Sequence, residues 1–253
     1  MVLPFLLALA LAPQPKEIHL TIDSVDRLAY VFAPSQPPAG KPPVLFMFHG
    51  HGGSAQTCMR RFYAEKRWPQ AVVVYCDGLP VETAGGNGKG WQLRAAADNR
   101  DLKFFDALLP KVLDQFHADP HNVFAWGFSN GGMFVYTLWA TRADRFAAFC
   151  ASGAAIINPG VRLTTPEPAF ITISGNDPVV PTDLQETALK QAEQTDGSQK
   201  TGKQYGDSGT YFAGKQPIVV WRFNGGHEFP SESFPKLIEF FRSIADGHPG
   251  TSG

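Results

Sequence analysis

The sequence predicts an α/β fold with a mostly parallel central sheet, helices on both faces and no large lid domain. Three observations predict it. Short continuous apolar runs at Val44–Phe48, Ala71–Tyr75, Val123–Trp126, Ala169–Ser174 and Ile218–Phe223 read as strands buried on both faces. Segments with helical spacing lie between them, as crossover connections of a parallel sheet require. At 253 residues the chain is long enough for one large core.

Taken in order, Glu17–Ile22 and Arg27–Ala33 flank Asp23-Ser24 and suggest an opening antiparallel hairpin. After Val44–Phe48, residues 54–66 read as a helix with Ser54 as N-cap. Asp77–Ala97 is Gly-rich without a clear period and reads as a functional loop. Asn99–His117 carries Leu102, Phe105, Leu108, Leu109, Val112, Leu113 and Phe116 at helical spacing. Beyond Val123–Trp126 come a helix near 130–141, strands at Ala147–Ser152 and Ala169–Ser174, and a helix near 182–193. Gln194–Gly214 is polar and reads as a surface loop; Ile218–Phe223 is the last strand and Ser231–Ile244 the last helix. The expected organisation is an apolar N-terminus over residues 1–12, one catalytic domain over 13–246 and a short tail over 247–253.

Composition narrows the function. Twenty-two basic against 23 acidic residues, with no basic run, argue against nucleic acid as a partner. Val2–Ala12 is too short to span a bilayer, so no stable membrane insertion is expected. It resembles the apolar region of a signal peptide, with Ala10 or Ala12 closing a small-residue cleavage site, which implies a secreted or periplasmic protein. The three cysteines, Cys58, Cys76 and Cys150, have no metal-ligand spacing; Cys58 and Cys76 could pair or remain free thiols.

The chemistry concentrates in Gly127-Phe128-Ser129-Asn130-Gly131, a G-x-S-x-G pattern between an apolar run and a helix-compatible run. Such an elbow lifts a serine hydroxyl from the end of the sheet, and its glycines let two backbones pass. The following helix points unpaired N–H groups at the place where an oxyanion would form. Serine needs a base. Of seven histidines, His227 is the best candidate, because it follows the last strand on a turn with two glycines. Asp177, after Ala169–Ser174, is the candidate orienting acid and gives the order Ser, Asp, His; Asp183 is the alternative. The loop His49-Gly50-His51-Gly52-Gly53 is expected to supply a second oxyanion donor, with the N–H of His51 and that of Asn130 as the pair. His49 and His51 lack a nearby carboxylate in sequence and make a poor metal site, so no metal is expected there.

With these residues in hand, the chain resembles the α/β-hydrolase superfamily, and within it the polyhydroxybutyrate depolymerase-like and feruloyl esterase-like secreted esterases. The resemblance runs from about Pro43 to Phe241. It rests on His49-Gly-His-Gly-Gly-Ser54, Asp101, Gly127-Phe-Ser-Asn-Gly-Gly-Met133, Asp144-Arg-Phe-Ala-Ala148, Asp177-Pro-Val-Val-Pro181 and Gly225-Gly-His-Glu-Phe-Pro230. It implies hydrolysis of a carboxylic ester, small or polymeric, by a Ser–His–Asp triad without metal or organic cofactor. Two positions depart from the family pattern: Phe229 stands where a tryptophan is usual, and Ser174 where the acid loop often has glycine. Trp91 and Phe229 are the candidate substrate-pocket walls. A serine peptidase with the same triad and a catalytically silent binding protein of this fold remain alternatives, and the oligomeric state is open.

Overall fold

The computed structural model describes residues 14–36, 38–83 and 85–247. The chain forms β1 (Lys16–Ile22), β2 (Val25–Phe32), β3 (Val44–Phe48), α1 (Ala55–Phe62), α2 (Ala64–Arg67), β4 (Val72–Cys76), β5 (Leu79–Thr83) and β6 (Gly86–Gly90). It continues with α3 (Arg100–Gln115), β7 (Val123–Phe128), α4 (Asn130–Arg142), β8 (Ala148–Ser152), β9 (Ala169–Ser174) and α5 (Thr182–Asp196). The last elements are β10 (Lys203–Tyr205), β11 (Gly209–Phe212), β12 (Ile218–Phe223) and α6 (Ser233–Ala245). The apolar stretch at residues 2–12 and the tail from His248 lie outside the described residues.

Ten strands form one sheet in the order β1-β2-β4-β3-β7-β8-β9-β12-β11-β10. The six strands from β4 to β12 in this order pair in parallel, and the pairings beyond them on either side are antiparallel. The period-2 alternation of a strand sorts its side chains between two cores. Val44, Phe46 and Phe48 of β3 join the core under α3, α4 and α5, while Leu45 and Met47 join the core under α1 and α6. Burial on both faces is what makes these strands read as unbroken apolar runs.

Three segments differ from expectation. The segment 77–97 contains the β5–β6 hairpin rather than only loop. Its second strand reads Gly-Asn-Gly-Lys-Gly and carries no apolar alternation to announce it. The polar segment 194–214 contains β10 and β11, which extend the sheet edge. Edge strands need no continuous apolar face. The helix expected over 54–66 is broken at Tyr63, which adopts a left-handed φ of 45° and separates α1 from α2. The opening hairpin forms as expected, and Asp23 and Ser24 both have positive φ, the geometry of a tight turn of the primed type. Cys58 and Cys76 are free and buried: Cys76 faces one core and Cys58 packs in the other, so the sheet separates them.

Candidate active site

The C-terminal ends of the parallel strands bring three loops together. β7 turns sharply into α4 at Ser129, whose φ of 56° and ψ of −124° are unusual for a side-chain-bearing residue. The turn depends on its glycines. A Cβ on Gly127 would lie 2.3 Å from the carbonyl oxygen of Gly131, and one on Gly131 would lie 2.1 Å from that of Phe48. Neither backbone can yield to such contacts.

Ser129 Oγ lies 2.8 Å from Nε2 of His227, and Nδ1 of His227 lies 2.8 Å from Oδ2 of Asp177. The partners fix the tautomer: Nδ1 donates to the carboxylate, which leaves Nε2 as the acceptor for the serine hydroxyl. Asp177 is buried, and the N–H groups of Val179 and Val180 both donate to its Oδ1 at 2.8 Å. Gln185 of α5 donates to Oδ2 at 3.1 Å and to the Val180 carbonyl at 2.7 Å. Four donors thus hold the carboxylate in one orientation. Gln185 was not legible in the sequence, because only the return of α5 over the acid loop gives it this role. Asp183 lies in the first turn of α5 and is exposed.

The unusual Ser174 explains itself. Its hydroxyl donates to the carbonyl of Gly225 in the histidine loop. With Gly175 N–H donating to the Phe223 carbonyl at 2.9 Å and Asn176 N–H to that of Gly225 at 3.1 Å, it stitches the acid and histidine loops together. The ring of Phe128 packs against His227, with centroids 4.9 Å apart.

The loop 49–53 faces the elbow. A Cβ on Gly50 would stand 3.4 Å from Cβ of Ser129, so this loop lies alongside the serine. Among the described residues the N–H groups of His51 and Asn130 have no hydrogen-bond acceptor. His49 is a structural residue. Its Nδ1 donates to the Gly50 carbonyl at 2.8 Å and its Nε2 accepts from Gly78 N–H at 2.9 Å. Burial holds its pKa below the ordinary histidine value, against the opposing pull of the Gly50 carbonyl and Asp77. Both nitrogens are occupied, which leaves no lone pair for a metal. The His51 side chain lies over the β5–β6 hairpin, 3.4 Å from the Val81 carbonyl.

That hairpin and Trp91 after it hold the segments that carry these two N–H groups. Lys89 accepts from Gly52 N–H at 2.8 Å through its carbonyl, and its ammonium pairs with Asp77. Asp77 also accepts from Ala55 N–H at the start of α1 at 2.9 Å. Trp91, directly after the hairpin, donates from its indole to the His49 carbonyl at 2.8 Å and from its backbone to Oδ1 of Asn130 at 2.7 Å. Asn130 Nδ2 returns a bond to the Trp91 carbonyl at 3.3 Å.

Trp91 is 1% exposed and stacks on Phe134; it floors a cleft of about 510 Å³ beside Asn130, whose rim carries Val81, Thr83, Arg94, Arg100 and Ile157. Phe229, expected as a pocket wall, instead packs against Phe62, Trp126 and Phe234 in the core under α6, and lines neither cavity beside Ser129. Its aromatic ring props the histidine loop from below. Phe128 and Phe62 border the second cavity instead.

Strand order, elbow and loop placement define an α/β-hydrolase fold. Solved structures of that kind superpose on the chain. One is an acetyl xylan esterase from Aspergillus awamori, with a TM-score of 0.68 at 14% identity, covering 90% of this chain and 99% of that one. A ferulic acid esterase from Anaeromyces mucronatus in complex with ferulic acid gives a TM-score of 0.63 at 15% identity, covering 93% and 92%. At such identities the likeness concerns the fold.

The family follows from sequence. Residues 25–212 match the esterase family described as "Putative esterase", and the chain belongs to that family. Feruloyl esterase C of Emericella nidulans is 32% identical over 151 residues, which cover 56% of this chain and 54% of that protein. The chain spans about half the length of the curated relatives it matches.

Proposed function

We propose that the protein is a serine hydrolase that cleaves carboxylic esters through an acyl-enzyme intermediate, with Ser129 as nucleophile, His227 as general base and Asp177 as its orienting acid. The observation that carries this reading is the unbroken chain Asp177–His227–Ser129, at 2.8 Å per link, beside two N–H groups without acceptors. His227 takes the hydroxyl proton as Ser129 Oγ bonds to the ester carbonyl carbon. The carbonyl oxygen gains negative charge within reach of the N–H groups of His51 and Asn130, a kind of donor whose loss costs about 10²–10³ in rate. His227 then gives its proton to the departing alcohol, leaving the acyl group on Ser129. Water repeats the sequence with the same residues and releases the acid. No step requires a metal or organic cofactor.

Family membership and the named activities of the relatives favour esters over peptides. Feruloyl, acetyl, polyhydroxyalkanoate-type and simple aryl or alkyl esters are the substrates within this reading. Export through the apolar N-terminal stretch belongs to it as well; protein from the medium would then lack residues up to Ala10 or Ala12. The test is hydrolysis of aryl and feruloyl esters beside a labelled peptide. Wild type should turn over at least one ester and not the peptide, and Ser129→Ala should lose ester turnover by at least about 10⁴-fold with unchanged folding. Full activity in Ser129→Ala, or peptide cleavage alone, would overturn the proposal.

A further inference from the structure

The second cavity beside Ser129 has a distinctive lining. It encloses about 190 Å³ between the oxyanion loop, α1 and β7, and is walled by Phe62, Trp126 and Phe128, with Cys58 and Arg61 from α1. Phe128 is the residue before Ser129, and its ring packs on His227, so an arm of an ester attacked by Ser129 can enter here.

The polar inventory of these walls is one-sided. Both nitrogens of His49 are taken. Thr57 Oγ1 donates to the Ser54 carbonyl at 2.9 Å and accepts from Ser54 N–H at 2.8 Å, closing the cap of α1. Cys58 stays a protonated thiol, because burial pushes its pKa far up. Two donors remain. Nε1 of Trp126 is buried with no acceptor among the described residues. Arg61 is exposed on α1, its guanidinium 5.4 Å from the Phe62 ring centroid, and makes no hydrogen bond or ion pair among the described residues. Glu65, four residues on, is turned inward and accepts from Tyr75 at 2.7 Å. The side chains of the cavity therefore offer mainly apolar surface, one buried N–H, the imidazole edge of His51 and one unpaired cation, and no carboxylate.

We propose that this cavity binds an acidic arm of the ester: a compact hydrocarbon or aromatic group carrying a carboxylate, which Arg61 meets at the mouth. The proposal rests on the ester-hydrolase reading and goes beyond it by naming the charge of the substrate. Guanidinium is suited to it, as a planar donor fork that pairs carboxylates on two parallel bonds.

The test compares matched charged and neutral esters. Ethyl hydrogen adipate against ethyl hexanoate probes an acyl arm, and para-acetoxyphenylacetate against para-ethylphenyl acetate probes an alcohol arm. In at least one pair, wild type should favour the charged member by roughly three- to tenfold in kcat/KM at low salt, a preference that shrinks as salt screens the pair. Arg61→Ala should abolish the preference while leaving neutral esters within about twofold, Arg61→Lys should keep part of it, and Arg61→Glu should reverse it. No charge preference in either pair, or a preference that survives Arg61→Ala, overturns the proposal. Turnover of neutral esters reports separately on the underlying reading: if they are hydrolysed without charge preference, only the acidic-arm assignment fails.

Discussion

Replacing Trp91 by phenylalanine separates two roles for this residue. The indole donates to the His49 carbonyl at 2.8 Å, stacks on Phe134 and meets Phe48 edge-on at 5.1 Å. Phenylalanine keeps most of the aromatic packing and removes the N–H. A buried carbonyl left without its donor costs about 1–3 kcal/mol. The lost ring atoms add about 1 kcal/mol. The sum, about 2–4 kcal/mol, lowers the melting temperature by roughly 4–16 °C in a chain of this size. The His49 carbonyl also bounds the elbow, since a Cβ on Gly131 would lie 2.6 Å from it. Freed from Trp91, this peptide no longer fixes the neighbouring His51 N–H. Turnover should fall by about tenfold, less than the ~10²–10³ of losing a donor outright, while KM stays within about twofold. Thermal unfolding and steady-state kinetics on one aryl ester read both effects. Unchanged stability with a raised KM alone would refute the reasoning and make Trp91 a substrate wall, the role its sequence position suggests.

Other perturbations act away from the reacting atoms. Arg27 and Asp101 pair at 2.7 Å with both side chains fully buried, so Asp101→Asn should leave a buried charge uncompensated and destabilise by about 3–5 kcal/mol. Arg27→Met combined with Asp101→Leu should cost less than the single change, as urea unfolding would show. Glu167 is held up to about 7 by burial and, secondarily, by Asp144. A carboxyl raised in the folded state contributes stability that is present below its unfolded pKa and lost as pH rises through about 7. Glu167→Gln should therefore match wild type near pH 4.5 and exceed it at pH 8, by no more than about 1 kcal/mol because solvent screens the half-exposed group. Equal melting temperatures at pH 8 would remove that role.

The parallel core was legible because burial on both faces leaves little ambiguity: Val44–Phe48, Ala169–Ser174 and Ile218–Phe223 form strands with the boundaries their apolar runs predict. The positions of Ser129, His227 and Asp177 were legible as loop residues directly after such strands. What sequence did not reveal depends on contacts distant along the chain. Gln185 reaches Asp177 from α5, and Asp77 and Lys89 join α1 to a glycine-built hairpin without periodicity. Phe229 misled for a related reason. An aromatic beside a site histidine reads as a pocket wall, but only the packing of α1 and α6 beneath it shows that it belongs to the core.

The central claim is that Ser129 is activated by His227 and Asp177. Its most direct test is intact-mass labelling with a fluorophosphonate, followed by peptide mapping. The account predicts a single adduct on Ser129, absent in Ser129→Ala and formed far more slowly in His227→Gln. No adduct on folded wild-type protein, or an adduct on another residue, would contradict it.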